Sequence, residues 1–291
     1  MTPSYALLEA ALSCGSPTCG TEFAYDALLR LGLSHVFPDA RLFPMEKLPR
    51  CTAYPEHLKF LDTVMAANRA LRENMLSALA EGRYPVVIGG DHSIAMGTLA
   101  ALGEHYGAEN TALVYVDAHT DINTERTSVS HFIHGMDLAA ACGLCCGELQ
   151  VGKNRVSILG QNIHILGARS IDPPERDILA AQRVDLRTAD EIRARGLDAV
   201  LRNVLPQLSG KQVHISFDVD ALDPTVFSAT GYNIPGGLTR AQAEQILREV
   251  LPLSSSFECV EYNPTIDHDG RDGQLLAELL RLVPALTGQE S

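Results

Sequence analysis

The sequence predicts an α/β protein in which helices cover both faces of a mostly parallel β-sheet. Short apolar runs alternate along the chain with longer segments that have the periodicity of amphipathic helices. The apolar runs are nearly continuous, as expected for strands that are buried on both faces. No repeat, low-complexity segment or long linker divides the 291 residues, so we predict a single domain over 1–291.

Five runs are predicted to be strands, and each ends beside a glycine or an acidic residue. They cover residues 85–88, 111–116, 162–166, 212–217 and 257–260. The helical pattern covers residues 57–80, 93–105, 135–146, 197–208, 240–251 and 273–282. This alternation favours strand–helix–strand units, which place successive strands parallel to one another.

Composition and charge exclude several classes of protein. Hydrophobic residues make up 46% of the chain, enough for a substantial core. The formal net charge of −13 argues against binding to nucleic acid, because phosphate recognition needs basic patches. We find no apolar run of the ~18 residues that a membrane helix needs and no signal-peptide pattern. We therefore expect a cytoplasmic protein that binds neither nucleic acid nor membrane.

Seven cysteines are distributed unevenly along the chain. Their odd number and the chain length argue against a disulfide scaffold. Cys142, Cys145 and Cys146 lie close enough in sequence to suggest zinc, but no second pair has zinc-finger spacing. We expect free thiols that pack on an apolar helix.

Acidic residues and histidines gather where four of the predicted strands end. In parallel sheets, ligands bind beside the carboxyl ends of the strands. The segments are Gly89-Gly90-Asp91-His92-Ser93, Asp117-Ala118-His119-Thr120-Asp121, Asp218-Val219-Asp220 and Glu261. One such segment alone is more often a turn or a helix cap, but several at successive strand ends indicate a shared site.

Four aspartates in these segments are expected to converge. Residues two apart on an extended chain point the same way, so Asp117, His119 and Asp121 can meet at one point. Asp218 and Asp220 can reach that point from a neighbouring strand. Ionised carboxylates packed in a cleft repel one another unless cations lie among them. Two divalent ions balance four such charges, and mixed carboxylate and imidazole ligands suit manganese.

Three sequence motifs carry a resemblance to a known family. VIGGDHSIAMGT, YVDAHTDINT and SFDVDALDP resemble the metal-binding motifs of the arginase/agmatinase (ureohydrolase) family. The resemblance runs from about residue 85 to the C-terminus and is weaker over the first 55 residues or so. It implies a three-layer α/β/α sandwich around an eight-stranded, mainly parallel sheet, and a homotrimer or homohexamer.

The resemblance also implies two Mn²⁺ ions per chain, which lower the pKa of a water molecule. Carried over by position, the ligands of one ion are His92, Asp117, Asp121 and Asp218, and those of the other are His119, Asp117, Asp218 and Asp220.

Three catalytic roles follow from the same resemblance. Glu261, in the segment Val-Glu-Tyr-Asn-Pro, matches the glutamate that binds the substrate guanidinium through two parallel hydrogen bonds. Asp121 orients the attacking water and passes a proton to the leaving amine. His134 resembles the family's proton-shuttling histidine.

Within the family, the chain looks most like the arginases. Asn123 and Ser130 match contacts to the α-carboxylate of arginine, and Asp172 resembles the aspartate that binds its α-amino group. We therefore predict hydrolysis of L-arginine to L-ornithine and urea. Two residues depart from the pattern. Phe132 replaces an asparagine that normally helps to bind the carboxylate, and Tyr232 replaces a small threonine at the pocket.

The sequence leaves other functional hypotheses open. A related guanidino or formimino substrate is one, namely N-hydroxy-arginine, agmatine, a guanidino acid or formiminoglutamate. A homologue that binds metal or ligand without turnover is another, although every metal ligand and Glu261 are retained. His164 and His214 lie inside apolar runs, where we expect core packing rather than ligation.

Overall fold

Eight strands form one sheet, and all neighbouring strands in it run parallel. The computed structural model describes residues 3–287. The strands are β1 Tyr5–Glu9, β2 Arg41–Phe43, β3 Tyr84–Ile88, β4 Thr111–Val116, β5 Ile163–Ala168, β6 Asp185–Thr188, β7 Gln212–Asp218 and β8 Ser254–Val260. Their order across the sheet is β2-β1-β3-β8-β7-β4-β5-β6. The predicted α/β fold with an eight-stranded parallel sheet is confirmed.

Helices cover both faces of this sheet. They are α1 Ala24–Arg30, α2 Leu33–Val36, α3 Leu61–Ala80, α4 Ala95–Tyr106, α5 Asp137–Ala141, α6 Pro173–Gln182, α7 Ala189–Arg195, α8 Leu197–Val204, α9 Arg240–Val250, α10 Arg271–Leu280 and α11 Leu282–Leu286. None of the helices within residues 3–287 is both long and apolar enough to cross a membrane.

Two apolar cores lie on opposite faces of the sheet, because successive strand side chains point to opposite sides. Leu7 packs with α1 and α8 to α11 in one core, whereas Ala6 and Leu8 pack with α3, α4 and α5 in the other. The inner strands are therefore buried on both faces, which explains their nearly continuous apolar sequences.

The predicted elements differ from the observed ones mainly at the sheet edges. The short strand β2 has an exposed Arg41 and Leu42, and β6 (DLRT) is only half-buried, so neither has the apolar run of an inner strand. The first strand, β1, is fully buried but was not among the predicted elements. The predicted helix over 135–146 is wrong in length, because α5 ends at Ala141 and the chain turns at Gly143, with φ of 74°.

Four adjacent inner strands, β3, β8, β7 and β4, deliver the acidic and histidine segments to one edge of the sheet. Asp117 directly follows β4, Asp218 is the last residue of β7, and Glu261 directly follows β8. His92 begins a single 3₁₀ turn after β3. Parallel alignment thus brings residues that are far apart in sequence to the same place.

Candidate metal centre

Three carboxylates surround one nitrogen of His92. Its Nδ1 lies 2.8 Å from Oδ2 of Asp117, 3.1 Å from Oδ2 of Asp218 and 3.5 Å from Oδ2 of Asp121. His92 and Asp117 are fully buried, and the other two carboxylates are nearly so. The predicted ligands from three separate segments therefore converge.

A second group forms around His119 and shares a carboxylate with the first. Nδ1 of His119 lies 3.0 Å from Oδ2 of Asp220 and 3.3 Å from Oδ1 of Asp117. Asp117 thus turns one oxygen toward each histidine. The two groups with geometry suited to a metal ion are His92, Asp117 and Asp218, and Asp117, His119 and Asp220.

Backbone amides fix the orientation of these carboxylates. The His119 amide donates to Oδ1 of Asp117 (2.6 Å), and the Asp220 amide donates to Oδ1 of Asp218 (2.7 Å). The Ala118 amide donates to Oδ1 of Asp220 (3.1 Å). In Asp117 and Asp218, the oxygen without the amide bond is the one that faces His92.

Burial and charge repulsion both disfavour the ionised carboxylates of the cluster. Burial and the charges of Asp220 and Asp117 raise the pKa of Asp218 well above its usual range. Burial and the charge of Asp117 raise the pKa of Asp121 to about 7. Oδ2 of Asp117 is buried and accepts no hydrogen bond, although it faces His92 Nδ1. Ligand atoms that lie this close together without a hydrogen bond are consistent with divalent cations bound between them.

The backbone reaches this arrangement differently from the predicted extended path. Asp218 ends β7, but Val219–Ala221 form a 3₁₀ turn that the Asp218 side chain caps, so Asp220 is not on an extended chain. Asp121 has φ of 40°, in the left-handed region. The predicted geometry of alternating side chains was therefore wrong, although the same side chains do meet.

Several buried residues hold the ligands, and apart from Asp91 and Ser93 in the segment after β3 they were not singled out from the sequence. The Asp91 carboxylate accepts hydrogen bonds from the amides of Gly15 (2.8 Å) and Ser93 (3.1 Å), which fixes the turn that carries His92. Nε2 of His92 lies 2.8 Å from Oγ of Ser216. Tyr115, in the middle of an apolar strand, also contacts the cluster. A buried tyrosine or serine within such a run gives no sequence signal beyond packing.

A cavity of about 330 Å³ opens beside the cluster. The predicted site residues that line it are His119, Asp121, Asn123, Ser130, His134, Asp172 and Tyr232. Neither lysine nor arginine is among the described residues of its wall, whereas Asp121, Asp172 and Glu175 are. The cavity therefore suits a ligand that carries positive charge.

Glu261 is buried and is not among the residues that line the cavity. Its Oε1 accepts a hydrogen bond from the His92 amide (2.9 Å) and lies 3.6 Å from Nδ1 of His134. Like Asp121, Glu261 has a left-handed backbone, with φ of 64°. Burial alone lowers the pKa of His134, but the carboxylate of Glu261 outweighs burial and raises it.

Polar side chains predicted to bind the amino-acid end of the substrate also line the cavity. Nδ2 of Asn123 donates to Oδ2 of Asp172 (3.0 Å), while Oδ1 of Asn123 is buried without a partner. Asp172 also begins α6 in a capping box with Glu175. Oγ of Ser130 is within 3.4 Å of the Phe132 amide.

Phe132 turns away from the cavity. Its ring packs against Phe60, with centroids 6.3 Å apart, and Nζ of Lys59 lies 4.3 Å from its centroid. The residue that replaces the family asparagine is therefore absent from the cavity wall.

The other histidines and the cysteines lie outside the cluster. Nδ1 of His164 is 3.1 Å from Oδ2 of Asp185, and Nδ1 of His214 is 2.8 Å from Oγ of Ser256. All seven cysteines are free thiols, as expected. Within residues 3–287, the cysteine cluster at 142–146 forms no group with metal-site geometry.

Known proteins resemble the chain over almost its whole length. Residues 4–283 match the model of the Arginase family, so the match includes the N-terminal segment expected to be weakly similar. The arginase of Bacillus subtilis (strain 168) is 36% identical over 229 residues, which cover 77% of each chain. The arginase of Brevibacillus brevis is 33% identical over 241 residues, covering 81% of this chain and 80% of that one.

Solved structures give the same result. The arginase of Bacillus caldovelox superposes with a TM-score of 0.90 at 28% identity, covering 99% of both chains. Entamoeba histolytica arginase, solved in complex with L-ornithine, gives 0.88 at 26% identity and covers 98% of this chain and 99% of that one. Formimidoylglutamase from Bacillus subtilis gives 0.79 at 21% identity, over 99% and 89% of the two chains, and shares the fold.

Proposed function

The chain belongs to the arginase family, and on that basis we propose that it is a manganese-dependent hydrolase that cleaves L-arginine to L-ornithine and urea. The observation that carries the proposal is the convergence of two histidines and four aspartates beside an acidic cavity. Such a cavity favours a cationic guanidinium, and the cluster has the ligand types that hold hard divalent cations.

The residues present fit two metal ions. The six ligands include four carboxylates, and five of the six are buried while His119 is partly exposed. The unpaired oxygen of Asp117 faces His92 and supports a cation there, and the other oxygen of Asp117 faces His119. When bound, the pair of ions lowers the pKa of water so that a nucleophile is available at neutral pH. We assign one ion to His92, Asp117, Asp121 and Asp218, and the other to His119, Asp117, Asp218 and Asp220.

Glu261 binds the guanidinium in this proposal. Its carboxylate is already oriented by the His92 amide, so little freedom is lost when the substrate binds. A planar guanidinium can donate two parallel hydrogen bonds to it, which directs the central carbon toward the metal cluster.

Asp121 and His134 move protons. Asp121 is a proposed metal ligand and also lines the cavity, where its carboxylate accepts a proton from the attacking water. His134 also lines the cavity, and the Glu261 carboxylate raises its pKa, which favours the protonated ring that donates to the departing amine. The amine leaves as the carbon–nitrogen bond breaks, and urea forms.

The proposed contacts to the α-amino and α-carboxylate groups favour arginine over agmatine, its decarboxylated analogue. Asp172 binds the α-ammonium group, and Asn123 and Ser130 bind the α-carboxylate. Nδ2 of Asn123 donates one of its two hydrogens to Asp172 and can donate the other to the α-carboxylate, whereas its unpartnered Oδ1 can accept only from a donor such as the α-ammonium group. Of these residues Asn123 is buried, and a buried polar group that agmatine leaves without a partner would cost about 1–3 kcal/mol.

A substrate panel tests the proposal. L-Arginine, N-hydroxy-L-arginine, agmatine, a guanidino acid and formiminoglutamate are each added to manganese-loaded protein, and released urea, hydroxyurea or formamide is measured. We expect arginine to be hydrolysed fastest. Urea from agmatine but not from arginine would show that the assignment of the carboxylate contacts is wrong. Two bound ions without turnover of any compound would identify a non-catalytic homologue.

A matched pair of variants tests the role of Glu261. Glu261→Gln keeps the side-chain size but removes the charge that pairs with the guanidinium. Loss of one partner in a buried charge pair costs about 2–5 kcal/mol, or about 30- to 5,000-fold in kcat/KM. Glu249→Gln alters an exposed acid on α9 and should leave kcat/KM unchanged. Equal activity of the two variants would contradict the assignment.

We also propose that the chain forms a homotrimer or homohexamer and acts in the cytoplasm, in line with the family resemblance. Light scattering coupled to size-exclusion chromatography measures the oligomer directly. A monomer at micromolar concentration would contradict the first part, and exclusive recovery of the protein outside the cytoplasm would contradict the second.

A further inference from the structure

A buried phenol contacts two of the proposed ligands at once. The hydroxyl of Tyr115 donates to Oδ2 of Asp121 at 2.8 Å and lies 3.0 Å from Nδ1 of His92. Tyr115 is fully buried on β4, two residues before Asp117. A single side chain therefore reaches ligands from two different segments.

The ring of Tyr115 also stacks on the face of the His92 imidazole. The two rings stack with centroids 4.4 Å apart and an angle of 8° between their planes. A nearly parallel neighbour at this distance restricts rotation of the imidazole about its χ2 angle. The ring thus acts on His92, while the hydroxyl acts on Asp121.

Asp137 closes the remaining side of the hydroxyl. Its two carboxylate oxygens lie 3.3 and 3.5 Å from the phenol oxygen. Asp137 is fully buried at the start of α5, and no basic side chain of residues 3–287 forms an ion pair with it. A buried carboxyl needs a polar neighbour, and the phenol oxygen of Tyr115 lies within reach of Asp137.

The phenol has a single proton and two carboxylates within reach. The shorter distance assigns that proton to Asp121 rather than to Asp137. This hydrogen bond is made to Oδ2 of Asp121, the oxygen that also faces Nδ1 of His92, and the carboxylate cannot rotate without breaking it. In metal sites, partners behind the ligands commonly change metal affinity by 10- to 100-fold.

We propose that Tyr115 is a positioning residue of the metal centre, which fixes the Asp121 carboxylate through its hydroxyl and the His92 ring through its face, with Asp137 in contact with the phenol oxygen on its other side. The inference rests on the proposed metal-dependent function. It identifies two residues outside the ligand set whose effect reaches the reaction only through Asp121 and His92.

Tyr115→Phe tests the hydroxyl while preserving the stacked ring. Manganese binding is measured by equilibrium titration and by metal analysis after gel filtration, and kcat and KM are measured separately. We expect manganese affinity to fall by about 10- to 100-fold. At saturating manganese we expect kcat to fall, with KM for arginine changed less than threefold, because the variant does not touch the substrate.

Two further variants separate positioning from folding. Asp137→Asn keeps a side chain of the same size that can still hydrogen-bond the phenol, so it should retain most of the manganese affinity. Tyr115→Phe/Asp137→Ala removes both polar groups together, so no buried carboxyl is left without its partner. We expect the double variant to recover thermal stability relative to Tyr115→Phe but not manganese affinity.

Tyr84→Phe is the matched control. Tyr84 is a buried tyrosine at the start of β3, and β8 and β7 separate that strand from β4. Its hydroxyl is 2.6 Å from Oγ of Ser254. This variant should bind manganese with wild-type affinity. Wild-type affinity and kcat in Tyr115→Phe would overturn the inference, whereas a wild-type protein that binds no manganese would instead overturn the proposed function.

Discussion

The ring of Tyr232 lies nearly parallel to the imidazole of His134, with centroids 5.7 Å apart and an angle of 17° between the planes. The same tyrosine ring meets His119 edge to face, at 5.4 Å and 71°. Where the family usually has a small threonine, this chain therefore has an aromatic side chain that packs on both a proposed proton donor and a proposed metal ligand. Tyr232 takes up more of the cavity than a threonine would, and its ring contacts restrict the orientation of His119 and His134.

Replacing Tyr232 should reveal the strength of that packing. Tyr232→Thr removes the ring from His134, and an aromatic pair contributes about 0.5–1.5 kcal/mol, so kcat should fall by roughly 2- to 12-fold. Tyr232→Phe keeps both ring contacts and should retain kcat within twofold. Steady-state kinetics with L-arginine measures both. If Tyr232→Phe loses as much activity as Tyr232→Thr, the hydroxyl rather than the ring is responsible.

Ser130→Ala should affect substrates with and without an α-carboxylate differently. Loss of one hydrogen bond to the carboxylate costs about 0.5–1.5 kcal/mol, which predicts a KM for arginine raised by roughly 2- to 12-fold. Agmatine has no carboxylate, so its KM should not change. Ser209→Ala, at an exposed position distant in sequence, serves as the control. A parallel rise for both substrates would indicate a general distortion of the loop.

The cysteines should differ sharply in reactivity. Burial raises the pKa of the Cys14 and Cys142 thiols to about 12, and it also raises the pKa of Cys145 and Cys259. Cys19 is exposed. At pH 8, Ellman's reagent should modify Cys19 rapidly, the half-buried thiols slowly, and all seven only after denaturation. Rapid modification of four or more thiols in the native protein would contradict this burial pattern.

An ion pair between α3 and α4 should make stability depend on pH. Glu104 accepts a hydrogen bond from Nε of Arg72 (2.8 Å) and one from the Lys153 amide (2.6 Å). The Arg72 hydrogen bond holds the pKa of Glu104 below its usual value. The stabilisation is therefore complete above the unfolded-state pKa of about 4.3 and is lost as the pH falls through the lower folded-state pKa.

Glu104→Gln tests this linkage. Urea unfolding at pH 7 should show a loss of about 1–2 kcal/mol, and the difference from wild type should shrink as the pH falls below about 4. Glu73→Gln changes an exposed acid on α3, next to Arg72, and should have little effect. A Glu104→Gln deficit that stays constant down to pH 3 would argue against a charge effect.

The convergence of the proposed ligands could be predicted from the sequence because these residues lie at strand ends. Asp117 and Asp218 follow buried apolar runs that are easy to recognise, and a parallel sheet aligns those ends. Their convergence did not depend on the detailed backbone path. The extended geometry predicted for Asp220 failed because the Asp218 carboxylate caps a 3₁₀ turn there, a local hydrogen bond that periodicity does not report.

Tyr115 and Asp137 could not be predicted as part of the site. Tyr115 fits the pattern of any buried strand residue, and Asp137 fell within a predicted helix whose true start was not recognised. Their relationship is a contact between segments 22 residues apart, fixed by packing. The course of Phe132 depends likewise on Phe60 and Lys59, which belong to a distant segment.

The left-handed backbones of Asp121 and Glu261 have a consequence for the protein before it meets any ion. Each such conformation costs about 1–3 kcal/mol in a residue other than glycine, and the crowded carboxylates add their repulsion. Ion-free chains should consequently populate the unfolded state more than loaded ones, since a ligand that binds only the native form stabilises it. Divalent-ion supply would then govern how much of the polypeptide survives in a cell, and not merely how fast each molecule turns over.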